Sequence, residues 1–170
     1  IKCELVDDAD WNENWKKYFH ATEIGEKLAI VPSWESYENK DNRTILQIDP
    51  GAAFGTGTHA TTSLCLDMLQ NYVDCSTKML DIGCGSGILA VASVLLGAKA
   101  AVGVDIDAQS VKTAKENAEI NGVTDKAEFT VGDLAEKVSG KYSVVCANIV
   151  ADVVIRLLQN VKNYMEENSM

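Results

Sequence analysis

Leu80-Asp81-Ile82-Gly83-Cys84-Gly85-Ser86-Gly87 decides how the chain is read. Lys78 to Asp81 has the makings of a short strand, and glycines at alternate positions behind it allow tight turning and close backbone approach to a ligand. A helix is predicted from Ser86 to Leu96, stopping at Gly97. Such a loop alone is also compatible with a plain structural turn. The dinucleotide fingerprint G-x-G-x-x-G would need glycine where Ile88 stands, and it serves to seat a pyrophosphate on a helix N-terminus. Asp81, two residues before the first glycine, would repel a diphosphate and suits an ammonium group. Asp105 ends the next predicted strand, Ala101 to Asp105, placed to accept both hydroxyl hydrogens of a ribose.

Outward from the loop, strand and helix alternate. A helix is expected at Ala60 to Tyr72 with Leu64, Met68 and Leu69 on one face. Another is expected at Ala108 to Asn121, with Asp107 as N-cap, Gly122 as C′ residue, and Val111, Ala114 and Ala118 as buried stripe with Ile120 at its edge. Strands at Ala127 to Val131 and Tyr142 to Ala147 and a last helix at Ala151 to Met165 follow. Upstream, Lys27 to Val31 and Thr44 to Ile48 read as strands around the polar loop Ser36 to Asn42, and Asp49-Pro50-Gly51 is a turn signal. Such alternation implies an α/β fold, a Rossmann-like, doubly wound, mostly parallel sheet with ligands at the carboxyl ends of its strands. Residues 1–57 read as a cover segment and linker end, and 58–170 as the ligand-binding core.

The chain has 170 residues and a formal charge of −10. That suffices for one domain with a real core. The strongest basic pair is Lys16-Lys17, so direct nucleic-acid binding is not expected. An acidic surface would favour a cationic partner, and it also serves simply for solubility. The longest apolar stretch, Ile88 to Leu96, is interrupted by Ser93 and too short to span a membrane. Five scattered cysteines without C-x-x-C and two distant histidines, His20 and His59, argue against a metal site and fit a reducing, cytoplasmic setting.

An amine-binding acid, a glycine loop and a ribose-binding acid together match the parts of S-adenosylmethionine. Asp133, in Val131-Gly132-Asp133-Leu134, follows the third strand of the core and suits the adenine amino group or, alternatively, a helix N-cap. These residues resemble the seven-stranded class of methyltransferases. Two further segments resemble something narrower. Asp49-Pro50-Gly51-Ala52-Ala53-Phe54-Gly55-Thr56-Gly57-Thr58-His59-Ala60-Thr61-Thr62 is similar to the D-P-G-x-A-F-G-T-G-T-H-x-T-T signature of the ribosomal protein L11 methyltransferase family. Trp11-Asn12-Glu13-Asn14-Trp15-Lys16-Lys17-Tyr18-Phe19 and Ile30-Val31-Pro32-Ser33-Trp34-Glu35 are similar to runs preceding it there. Ala60 stands where that family usually has proline, a loss only of a favourable first-turn residue.

The resemblance implies trimethylation of amines, lysine side chains and the N-terminus, on a large-subunit ribosomal protein, with Thr62, Gly83, Asp105 and Asn148 at cofactor-binding positions. Beside them, Asp81, Gly85, Gly87 and Asp133 are the cofactor-binding candidates from the residues themselves. The threonines and glycines of the signature read as a cofactor lid or as a capped loop, with Thr58 or Thr61 as the cap; Phe54 suits stacking on the cofactor or core packing. Asn148 in Ala147-Asn148-Ile149 is the candidate to aim an amine lone pair at the methyl carbon, or else a cap for the last helix. His59 is the candidate base near neutrality, or else a loop residue. The resemblance further implies a separate substrate-recognition domain before Ile1 and further strands after Met170. A small-molecule methyltransferase, a non-catalytic cofactor-binding module and a nicotinamide-dependent enzyme are the competing readings.

Overall fold

The computed structural model describes residues 19–49, 59–134, 138–167 and 169. Three strands come first: β1 (Thr22–Ile24), β2 (Leu28–Pro32) and β3 (Thr44–Ile48). Then follow α1 (Ala60–Tyr72), β4 (Lys78–Ile82), α2 (Ile88–Leu95), β5 (Ala100–Asp105), α3 (Ala108–Ile120), β6 (Ala127–Val131), β7 (Val144–Cys146) and α4 (Ala151–Leu158). A 3-10 turn at Val161–Asn163 comes after α4. Most of the signature, the W-x-x-x-W segment, Phe54 and Thr58 lie outside the described residues.

Strands β6-β5-β4-β7 form one sheet in that order, all parallel. The chain winds outward from β4 through β5 to β6, then returns to lay β7 on the other side of β4. The reversal between β4 and β7 opens a crevice at their carboxyl ends, where ligands of such sheets bind. Helix α2 (ILAVASVL) has no polar face beyond Ser93, which returns its hydroxyl to Ala90 O at 2.7 Å. A helix apolar all round must be covered all round. Accordingly α2 packs on β4 and β5 below and on β3 and α1 above. The second sheet, β1-β2-β3, supplies that cover, with all five residues of β2 buried.

Several sequence expectations shift. β1 was not expected: three residues are too few to carry periodicity. Helix α1 buries Thr62, Leu66, Leu69 and Gln70, whereas Leu64 and Met68 are 60% and 42% exposed. The rotation follows from Gln70, whose carboxamide accepts from Lys27 N at 2.7 Å and donates to Ile24 O at 3.1 Å, polar ties that counting apolar residues misses. Ile120 lies on the exposed side of α3. Helix α2 begins at Ile88 rather than Ser86, because Gly87 at φ +78° is its N-cap and not a helical residue. β7 is shorter than expected and α4 ends at Leu158: Tyr142 pairs instead with Met165 in an isolated parallel bridge, drawing the tail back toward the sheet. No helix among the described residues is long and apolar enough to cross a membrane.

Candidate functional site

The strand β4 ends at Ile82, and the chain turns over the carboxyl end of β5. Gly83 N and Cys84 N both donate to Val104 O, at 2.7 and 3.0 Å. Gly83 has φ +73°, and a Cβ there would run into Ile149 Cγ2. At Gly87 a Cβ would meet Ala114 Cβ at 2.8 Å and the Phe129 ring at 3.0 Å. Both positions therefore need glycine for conformation and for space. Between them, Gly85 N donates to Asp105 Oδ2 at 2.9 Å.

Two carboxylates flank this loop in opposite conditions. Asp105 is half-buried, and its second oxygen accepts from Asp107 N at 3.0 Å, so two backbone amides fix its orientation. Asp107 is the N-cap expected of it, accepting from Gln109 N and Ser110 N at 3.2 and 2.9 Å. Asp81 is 1% exposed. Its Oδ2 accepts from Ala90 N at 3.3 Å, and its Oδ1 has no hydrogen-bond partner among the described residues. Burial pushes its carboxyl up to about 7, with the Ala90 N–H opposing and the Asp105 charge adding. The thiols of Cys65, Cys84 and Cys146 are pushed up by burial and then by the Asp81 charge.

From the other side, α1 and the segment after β7 meet. Asn148 Nδ2 donates to Thr62 Oγ1 at 3.0 Å, joining residues far apart in sequence, and Thr62 is buried. His59 is the N-cap of α1: its Nδ1 accepts from Thr61 N at 3.3 Å and lies 2.8 Å from Thr61 Oγ1. The cap is thus His59, in place of the threonine expected. With Nδ1 an acceptor, the neutral ring carries its proton on Nε2. Asp133, half-buried, has Oδ2 3.4 Å from Arg156 Nη2 on α4.

These residues wall one cleft of about 690 Å³, well inside the range of small-molecule sites. His59, Thr62, Asp81, Gly83, Gly85, Asp105, Asp133 and Asn148 all line it; Gly87 lies behind the wall as the helix cap. The sequence reading missed the apolar lining. Ile106, 73% exposed directly after Asp105, joins Leu134, Ile149, Val150 and Val153 there. An apolar residue exposed at a strand's carboxyl end is signal enough only once the crevice is known. Leu134 also holds φ +48°, uncommon outside glycine and typical of strained ligand-facing backbone. The donor set fits a molecule carrying an ammonium for Asp81 Oδ1, a diol for Asp105 and a flat apolar body between Ile106 and its neighbours. Among the described residues no group of three or more His, Cys, Asp or Glu is placed to hold a metal.

The family model for ribosomal protein L11 methyltransferase (PrmA) matches residues 1–170. The chain is 48% identical to the ribosomal protein L11 methyltransferase of Caldicellulosiruptor bescii over 168 residues, covering 99% of this chain and 54% of that protein. It is 44% identical to that of Thermoanaerobacter pseudethanolicus over 170 residues, covering 100% of this chain and 55% of the relative. It thus spans about half the length of the curated relatives it matches. Among solved structures it superposes on the ribosomal protein L11 methylase from Lactobacillus delbrueckii subsp. bulgaricus with a TM-score of 0.82 at 36% identity, covering 89% of this chain and 77% of that one. An S-adenosyl-L-homocysteine complex of a methyltransferase from Thiobacillus denitrificans gives 0.54 at 25% identity, covering 62% and 45%. Matched along its whole length and folded on the same sheet, the chain belongs to the ribosomal protein L11 methyltransferase family.

Proposed function

We propose that this chain is the catalytic part of an S-adenosylmethionine-dependent methyltransferase, its core in residues 58–170 and its cover in 1–57, acting on amines of ribosomal protein L11 in the cytoplasm. The observation that carries the reading is the buried Asp81 carboxylate with one oxygen left unpaired in a cleft whose other deep acid, Asp105, is held in place by the loop itself. A net charge of −10 suits a cationic protein substrate better than a nucleic acid.

The cofactor supplies an activated methyl group on a sulfonium. The chain's work is therefore to bind, orient and strip water. Asp81 would hold the ammonium end, Gly83 and Gly85 would let the backbone come close, Asp105 would hold the ribose hydroxyls, and Asp133 would accept from the adenine amino group. Asn148 uses its N–H on Thr62, which leaves its carbonyl oxygen to accept an N–H of the incoming amine and aim the lone pair. A lysine ammonium has a pKa of about 10.4, so the neutral amine must be favoured by desolvation. Ile149, Val150 and Val153 beside Asn148 supply apolar surroundings for that. A base role for His59 would require Nδ1 to release the cap bond from Thr61 N and take up the proton, since Nε2 already carries one in the neutral ring.

The test is transfer of labelled methyl groups from the cofactor to purified L11 by the full-length protein. Incorporation that Asn148→Ala lowers about 100-fold, with S-adenosylhomocysteine affinity kept within about three-fold, supports both substrate and role. An unchanged rate removes Asn148 from the mechanism. No incorporation with the unmodified protein removes the substrate.

A further inference from the structure

The glycine loop is a liability as well as an asset, because a run of glycines with positive φ has many backbone states to lose on binding. Something outside it must select one. Asn117, on α3, is fully buried at 0% exposure, and its carboxamide reaches two places at once. Its Nδ2 donates to Ser86 O at 2.9 Å, and its Oδ1 accepts from Asp49 N, also at 2.9 Å. The Ser86–Gly87 peptide is thereby held on both sides, since Gly87 N donates to Cys84 O at 2.8 Å. Without the Asn117 bond this peptide could rotate, because Gly87 sits at φ +78° and has no side chain to resist. Such a rotation would disturb Gly85, whose N–H orients Asp105.

Asn121, one turn further along the same face, provides the contrast. Its Oδ1 accepts from Gln47 N at 2.9 Å and its Nδ2 donates to Gln47 O at 2.6 Å, completing β3 as a neighbouring strand would. Its carboxamide makes no bond to the glycine loop; Nδ2 also donates to Asn117 O at 2.8 Å. An asparagine of α3 and the one that caps its end thus anchor the same strand, and only the first also holds the loop.

We propose that Asn117 is a positioning residue that preorganises the glycine loop for the cofactor and ties it to the end of β3. The inference rests on the cofactor reading above. It acts through Ser86 and touches no ligand.

Asn117→Asp keeps shape and the acceptor for Asp49 N but sets an oxygen against Ser86 O; Asn121→Asp makes the same exchange against Gln47 O. Both are introduced into the full-length protein and titrated with S-adenosylhomocysteine, and their unfolding temperatures are measured without ligand. Asn117→Asp is expected to weaken binding at least ten-fold, by roughly the cost of ordering a loop no longer preorganised. It should raise KM for the cofactor while kcat stays within about two-fold. Asn121→Asp should bind within about two-fold of the unmodified protein even where its unfolding temperature falls as far. Equal weakening by both, or unchanged binding in Asn117→Asp, overturns the proposal. If Asn117→Asp does not fold, amide exchange in the unmodified protein decides. The ligand should then slow the Asp49 amide at least about ten-fold more than the Gln47 amide, and equal slowing overturns the proposal. Unmodified protein that fails to bind at all sinks the cofactor reading and this inference together, whereas binding that Asn117→Asp leaves untouched sinks this inference alone.

Discussion

Strand β4 has an aspartate near each end, and the two live under opposite conditions. Asp74, in the turn leading in, receives three hydrogen bonds on one oxygen: Ser76 N at 2.8 Å, Ser76 Oγ at 2.7 Å and Thr77 Oγ1 at 3.1 Å. Those bonds, Ser76 foremost, hold its carboxyl below the usual carboxylate range. Asp81, at the far end, has one long bond from Ala90 N, an unpaired oxygen and a carboxyl raised to about 7 by burial. The first acid uses its bonded oxygen in making a turn. The second is buried at a cost that its own hydrogen bonds do not offset, the combination that makes a titratable group in a cleft a functional candidate. Near Asp81, at the carboxyl ends of the sheet, Leu134 holds φ +48° and Ile106 and Val150 are exposed.

The largest loss is expected at Asp105. Asp105→Ala removes charged hydrogen bonds worth about 1.5–3 kcal/mol each, and S-adenosylhomocysteine binding measured by calorimetry should fall at least 100-fold. Retained binding would mean that the carboxyl-end cleft is not the cofactor site. Next in size is Gly87→Ala. A left-handed backbone costs an alanine about 1–2 kcal/mol, and the added Cβ presses on Ala114 and Phe129. The melting temperature should drop by roughly 5–10 °C.

Asp81 and Asp74 should also respond oppositely to pH. The folded carboxyl of Asp81 lies above the unfolded value, so its contribution to stability is complete below about pH 4 and is lost as pH rises through about 7. The ligand's ammonium favours the ionised form, so binding must release a proton near neutrality. Affinity for S-adenosylhomocysteine should therefore be roughly ten-fold weaker at pH 6 than at pH 8, one pKa-unit's worth. Asp81→Asn should flatten that dependence and melt higher than the unmodified protein at pH 8 without ligand. A pH profile that the substitution leaves unchanged would assign the proton elsewhere.

The smallest effect belongs to Asp74. Its folded carboxyl is lowered, so its stabilisation is present above the unfolded carboxylate range and lost as pH falls through the folded one. Asp74→Asn should lower the melting temperature slightly at pH 7, less so in acid, and leave ligand affinity within about two-fold. Impaired binding in this variant would show that the two ends of β4 are not independent.

Much of the site was legible because local chemistry wrote it. The loop Gly83 to Gly87 needs its glycines whatever surrounds it, Asp107 caps the helix that follows it, and Asp105 ends a strand whose apolar run is plain. His59, Thr62, Asp133 and Asn148 came from the motif's residue types and from likeness to one family, and the structure puts all four in the cleft. Less legible was anything set by a partner distant in sequence. The buried face of α1 turned on Gln70 reaching Lys27 and Ile24. Asn117 and Asn121 look like ordinary polar positions on a helix until β3 and the glycine loop are brought against them.

Neighbours within a few residues were enough to write the order of elements from α1 onward, the glycine turn, the Asp107 cap and the acids at strand ends, so these were legible in the sequence alone. Tertiary structure alone decided that Asp81 would be left with an unpaired oxygen, that Asn148 would bond Thr62, and that one asparagine would hold the loop while its twin holds only a strand. Those outcomes depend on which groups are denied water and which find a partner. That is settled by packing between segments remote in the chain.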